Sequence, residues 1–89
     1  MNYQPGYDDE IGRLKMGQRT KKYSLTLAGH RTSVSMEEPF WEALKDISKH
    51  KNQSITAIVS LIDRNREDLP LSSAIRIYVL EYFKEKSRQ

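Results

Sequence analysis

A chain of 89 residues with 15 Lys and Arg, 12 Asp and Glu and no cysteine has room for one small domain. It excludes disulfide frameworks, thiolate metal sites and cysteine nucleophiles. At this size folding buries only about 60 to 65% of the surface the unfolded chain exposes, so the core is marginal unless a second copy extends it. The apolar runs are too short to span a membrane, and Met1 to Gly6 lack the basic and apolar regions of a secretory signal. The expectation is a soluble, cytoplasmic protein.

Residues 1–20 combine Pro5, Gly6, Gly12 and Gly17 with polar groups and no hydrophobic period, and read as a flexible N-terminal arm. The net charge of +3 is unevenly spread: the acidic cluster Asp8, Asp9 and Glu10 is followed by Arg13, Lys15, Arg19, Lys21 and Lys22 with no acid among them. Such a basic run suits phosphates, or it is a solvated leader. From Tyr23 the pattern alternates, with Tyr23, Leu25 and Leu27 against Ser24, Thr26 and Ala28. After Gly29-His30, Thr32, Val34 and Met36 alternate with Arg31, Ser33 and Ser35. These are two strand pieces joined at a bulge, bend or tight turn. Whether the first pairs within the chain or across a dimer is open, and no repeat is visible at any period.

Pro39, preceded by Glu37 and Glu38, starts a helix near Glu38, where the acids offset the positive end of the dipole. Its inward stripe is Phe40, Trp41, Ala43, Leu44 and Ile47, and Glu42, Lys45, Asp46 and Lys49 face water. Asn52 is its left-handed C-cap, after Lys49, His50 and Lys51. Ser54 caps a second helix over about 55–64, with Ile55, Ile58, Val59 and Ile62 at helical spacing. Residues 65–70 are a polar linker ended by Pro70. A third helix opens at Ser72 or Ser73 and runs to about Lys86, with Ala74, Ile75, Tyr78, Val79, Tyr82 and Phe83 on one face and Arg76, Glu81, Lys84 and Glu85 on the other.

On a strand, Thr32, Val34 and Met36 share the covered face, and Arg31, Ser33 and Ser35 share the other. That outer row is either a solvated surface or a set of base readers, since a two-stranded ribbon fits the major groove and Arg pairs bidentately with guanine. The start of the second helix, at Ser54, Ile55 and Thr56, offers free amides and a positive dipole end to a phosphate.

The order of strand, helix, polar turn and Ser-capped helix in residues 31–62 resembles the ribbon-helix-helix proteins, the Arc and MetJ class of DNA readers. The resemblance is carried by the segments 28–37, 40–44, 54–57 and 71–76 and extends over roughly residues 21–84. It implies a mainly α fold with a short β-ribbon: a ribbon-helix-helix homodimer over residues 21–89 with an additional C-terminal helix. Arg31, Ser33 and Ser35 of an intermolecular ribbon would read bases, while Ser54, Ile55 and Thr56 hold phosphate, with Lys21 and Lys22 beside them. The dimer core would take Val34, Phe40, Trp41, Leu44, Ile58 and Ile62. The strand region is about twice the family's usual length. If residues 23–27 supply the groove strand, the readers become Lys22, Ser24 and Thr26.

No catalytic constellation or cofactor motif is present. His30 and His50 lack partners at metal-ligand spacing and suit a bend and a helix end. Trp41 and Phe40 suit core or interface packing. The implied function is sequence-specific binding of double-stranded DNA by a transcriptional repressor or the DNA-binding half of an antitoxin, not an enzyme. The alternative is a dimeric interaction module that binds a partner protein through its C-terminal helix.

Overall fold

In the computed structural model, which describes residues 20–88, the two alternating runs form one hairpin. Strand β1 spans Lys21–Leu27 and β2 spans His30–Met36. They pair antiparallel, with Lys21 opposite Met36 and Leu27 opposite His30. The connection is Ala28-Gly29, with φ of 51° and 80°. Two successive positive φ values mark a type I′ turn, whose twist matches that of the flanking strands. A Cβ on Gly29 would meet nothing within 4 Å, so what demands glycine there is the backbone alone. Ala28 holds a left-handed conformation that costs an alanine about 1 kcal/mol.

Residues 31–36, expected in a ribbon with a second copy, pair along one edge with β1 of the same chain, because a two-residue turn brings the preceding run back alongside with almost no loop to close. A repeat overlooked in the sequence also becomes visible. Both strands carry the same alternation of exposed and buried positions.

The helices are α1, Glu38–Lys51, α2, Ile55–Asn65, and α3, Leu71–Ser87. Pro39 lies in the first turn of α1, and Asn52 closes it at φ 57° with its N–H donating to the Lys49 carbonyl. The Ser54 hydroxyl oxygen accepts from the Ala57 N–H at 3.0 Å. Helix α2 runs one residue beyond the expected end, and the Asn65 side chain donates back to the Leu61 carbonyl at 2.8 Å. Helix α3 starts at Leu71 rather than at a serine. Pro70, at φ −57°, presets the entry, and its carbonyl accepts from the Ala74 N–H at 3.0 Å.

The inner face of the hairpin lies on the helices. Leu25, Leu27, Val34 and Met36 are buried with Leu44 and Ile47 of α1, Ile58, Val59 and Ile62 of α2, and Ala74, Ile75 and Val79 of α3. Val34, Leu44, Ile58 and Ile62, expected in a dimer core, are thus covered by their own chain, since α3 packs against α1, α2 and β2. Phe40 and Trp41 are half-buried. Trp41 stacks on Tyr23 with ring centroids 4.1 Å apart, covering the β1 side of the core at about 0.5 to 1.5 kcal/mol beyond its area burial.

The outer part of the apolar stripe expected on α3 is uncovered within the chain, and one polar expectation fails. Phe83 is 43% exposed, and Ile77 and Leu80 stand out beside it at 49% and 56%. The helix buries only the narrow line through Ala74, Ile75 and Val79, with Tyr78 and Tyr82 half-buried at its margin. Arg76, expected in water, turns inward and grips Glu37 through two hydrogen bonds, Nε to Oε1 at 2.9 Å and an amino nitrogen to Oε2 at 3.1 Å. Its guanidinium also lies over the Phe40 ring, 5.9 Å from the centroid.

Gly29→Ala should lower the unfolding free energy by about 1 to 2 kcal/mol in urea titrations, while Ala28→Asn should raise it by a few tenths. The Arg76 guanidinium, and then the backbone amide of Glu37 itself, hold the Glu37 carboxyl below its ordinary value of 4.5. A depressed folded-state pKa means that the native state binds the proton more weakly than the unfolded chain. The stabilisation is therefore present above 4.5 and is lost as pH falls through the folded-state value. Glu37→Gln should cost about 0.5 to 1 kcal/mol at pH 7, as partly exposed pairs do. That difference should vanish in acid, where the native residue is itself protonated.

Candidate nucleic-acid interface

Because directly opposed residues of an antiparallel pair share a face, the register sorts the hairpin into two surfaces. Tyr23, Leu25, Leu27, Thr32, Val34 and Met36 face the helices. Lys22, Ser24, Thr26, Arg31, Ser33 and Ser35 form the outer face and are all exposed. The opposed pairs are Lys22 with Ser35, Ser24 with Ser33, and Thr26 with Arg31. The two reader sets that compete in the sequence are therefore neighbours on one surface. Among the described residues neither Lys22 nor Arg31 is ion-paired, and no carboxylate belongs to this face.

Lys21 departs from its expected place beside Lys22. It lies on the other face, its ammonium 3.3 Å from the Glu38 carboxylate, with both side chains about half-exposed. Successive strand residues point to opposite sides, so only one lysine can join the outer row.

The start of α2 has the expected geometry. Ser54 is extended, at φ −73° and ψ 155°, and its hydroxyl takes the Ala57 N–H while its carbonyl takes that of Ile58 at 3.1 Å. The N–H groups of Ile55 and Thr56 precede the first intrahelical bond and lie at the positive end of the dipole. Ser54 and Thr56 are exposed and Ile55 is half-buried. Helix α2 packs beside β1 and α3 beside β2.

His30 opens β2 opposite Leu27. His50 lies in the last turn of α1, its Nε2 3.0 Å from the Lys86 ammonium. Among the described residues no group of three or more His, Asp or Glu could hold a metal ion, and no helix is long and apolar enough to cross a membrane. The basic residues Arg13, Lys15 and Arg19, the acidic cluster 8–10 and the expected flexible arm lie outside the described residues, apart from Thr20.

Sequence reasoning missed the Glu37–Arg76 brace, whose partners are 39 residues apart with no periodicity to connect them. It also missed that the outer face has two strands' worth of side chains from one chain. The paired cation-x-Ser pattern, Lys22-Tyr23-Ser24 and Arg31-Thr32-Ser33, was the available signal.

A family model described as a ribbon-helix-helix domain matches residues 20–83. No match was found among curated proteins or among solved structures. The matched span takes in the whole hairpin, α1, α2 and most of α3, so the third helix lies largely within the matched domain. With well over half the chain matched and the ribbon and its two following helices in place, the chain belongs to the ribbon-helix-helix domain family, whose members are typically dimeric, non-enzymatic DNA-binding folds.

Proposed function

We propose that the chain is a sequence-specific regulator that binds double-stranded DNA as a homodimer in the cytoplasm, in the manner of a repressor or of an antitoxin's DNA-binding half. The observation that supports this most directly is the outer face of the ribbon, which is exposed, free of carboxylates and armed with Arg31, Ser33 and Ser35. A two-stranded ribbon has the width of the major groove. There Arg31 can pair with guanine O6 and N7 while the serine hydroxyls meet donors or acceptors on several bases. Ser54 and the amides of Ile55 and Thr56 are suited to a flanking phosphate, with Lys21 at the ribbon's open end adding charge. The sequence pI of about 9.3 favours the same partner.

The exposed row Ile77, Leu80 and Phe83 on α3, with Phe40 beside it, supports a dimer seam and equally favours a second reading. In that reading the scaffold is an interaction module whose third helix seats a partner protein. Apolar residues that stay half-exposed three apart along a helix mark a contact surface more than a solvent face.

Binding to a mixed duplex pool in gel-shift titrations should weaken steeply between 50 and 200 mM salt, as counterion release requires for a protein on phosphates (about 10³-fold or more for six contacts). Arg31→Ala should cost about 1 to 3 kcal/mol on a selected sequence and relax its base preference. Unchanged affinity and preference would remove Arg31 from the groove. Leu80→Glu should turn a dimer into a monomer in sedimentation velocity runs. A dimer that survives the substitution would shift this row to the partner-protein reading.

A further inference from the structure

Helices α1 and α3 lie side by side and run in the same direction. Glu37 and Phe40 at the start of α1 meet Arg76, and His50 in its last turn meets Tyr82 and Lys86. Ten positions separate Phe40 from His50, and ten separate Arg76 from Lys86, so the seam between the helices is about 15 Å long. It opens outward as two clefts. The cleft at the Phe40 end has a volume of about 310 Å³ and is walled by Phe40, Ile77, Leu80 and Phe83 over Val79. The cleft at the His50 end, of about 180 Å³, has Ile47 as its floor and Asp46, His50 and Lys86 at its margin. Phe83 lines both, so they form one groove. Its chemistry changes along its length. The Phe40 end is apolar, whereas the far end gathers Lys49, His50 and Lys51 of α1 with Lys84 and Lys86 of α3. Among the described residues Lys49, Lys51 and Lys86 have no carboxylate partner.

The chain enters β1 at the apolar end of this groove. Lys21, the first residue of β1, is ion-paired with Glu38 at 3.3 Å, and Glu38 stands with Phe40 in the first turn of α1. Read backwards from Thr20, the preceding sequence offers Met16, Leu14 and Ile11, and then the acids Glu10, Asp9 and Asp8. That is also the order of the groove, which is apolar near the point of entry and cationic beyond it. We propose that residues 8–16 seat in the groove between α1 and α3 of their own chain, with Met16, Leu14 and Ile11 against Phe40, Leu80 and Phe83, and the acidic triplet at His50 and Lys86. This assigns an occupant to the apolar face of α3 and does not depend on DNA binding. The reach is sufficient, since residues 11–20 can extend over about 33 to 36 Å and the groove is about 15 Å long. A segment tethered this closely meets its seat at an effective concentration of about a millimolar, so modest contacts suffice to hold it. Arg13, Lys15 and Arg19, interleaved with the apolar residues, are left to water or to phosphate. A second copy or a partner protein that uses Ile77 and Leu80 has to displace the segment, which makes residues 8–16 a built-in competitor for that face.

The chain has no cysteine, so Lys84→Cys gives a unique attachment point for a nitroxide at the far end of the groove. Lys84 is exposed, and its surface pair with Glu81 contributes little to stability. The test is paramagnetic broadening of amide signals in two samples of the full chain. In the first, one isotope-labelled chain also carries the nitroxide; in the second, isotope-labelled chains without nitroxide are mixed with unlabelled chains that carry it. The expected result is broadening of residues 8–16 in the first sample and none in the second. Replacing Ile11, Leu14 and Met16 together by Ser should abolish that broadening and raise binding of the apolar dye ANS several-fold, as an uncovered apolar surface does. Replacing Asp8, Asp9 and Glu10 together by Ser should weaken the broadening as well. Sharp signals for residues 8–16 in the first sample would overturn the proposal and leave the groove to a partner protein. Broadening confined to the mixed sample would overturn it in favour of a second copy. Broadening that survives both triple substitutions would reduce it to chance proximity and overturn it too.

Discussion

Everything on the outer face of the ribbon depends on the two residues that turn the hairpin. Strand side chains alternate with a period of two, so a slip of one residue between β1 and β2 would turn one strand over. It would bring Lys22, Ser24 and Thr26, or Arg31, Ser33 and Ser35, against the helices, and expel Leu25 and Leu27 or Val34 and Met36 to water. A two-residue turn with positive φ at both positions admits one register. The strain that Ala28 carries is small beside the burial of four apolar side chains, each worth about 1.5 to 3 kcal/mol.

The register also explains how the apolar side of the hairpin is covered. A hairpin by itself is marginal in water, but the inner face of this one is covered by three helices that share it. The brace between Arg76 and Glu37 fixes α3 at the junction of β2 and α1, where the chain leaves the ribbon. Being partly exposed, it contributes little energy. Its effect is positional: it holds α3 with Ile75 and Val79 turned into the core and Ile77 and Leu80 outside.

The helices were legible in the sequence because their ends are written in local chemistry. Pro39, Asn52, Ser54 and Pro70 each act within a turn of where they stand, and each lies at the expected boundary or within a residue of it. The faces of the strands were legible for the same reason, since alternation is local. The strand partner was not. Alternation says which side of residues 31–36 is covered, but pairing within the chain or with a second copy satisfies it equally. What separates them is a turn in which alanine takes a left-handed conformation that its composition does not advertise. The outer face was half read: Arg31, Ser33 and Ser35 were identified, and the equivalent row 22, 24 and 26 stood as a competitor instead of a neighbour. On α3 the stripe is only partly covered by the chain itself. A stripe that includes Tyr82 and Phe83 suggests a broad buried face, yet only Ala74, Ile75 and Val79 reach the core.

The two strands carry matching patterns of exposed and buried residues, but their supports differ. Beside β1 stands α2, whose capped start presents the Ser54 hydroxyl and two free amides. Beside β2 stands α3, which begins at Pro70 with no side-chain cap. A ribbon laid in a groove with a phosphate strand on each side would thus meet an anion seat on the β1 side without an equivalent on the other. A half turn about an axis perpendicular to the sheet, passing between Ser24 and Ser33, would leave the outward pattern of one cation and two hydroxyls per strand nearly unchanged but would exchange those flanks. If the outer face meets bases as proposed, those contacts would select where the ribbon sits, and the unequal flanks would select which way round it sits. On the DNA-binding reading the orientation of the chain would be set by backbone contacts at α2, and the lysine-for-arginine difference between the two ends would add only a minor bias.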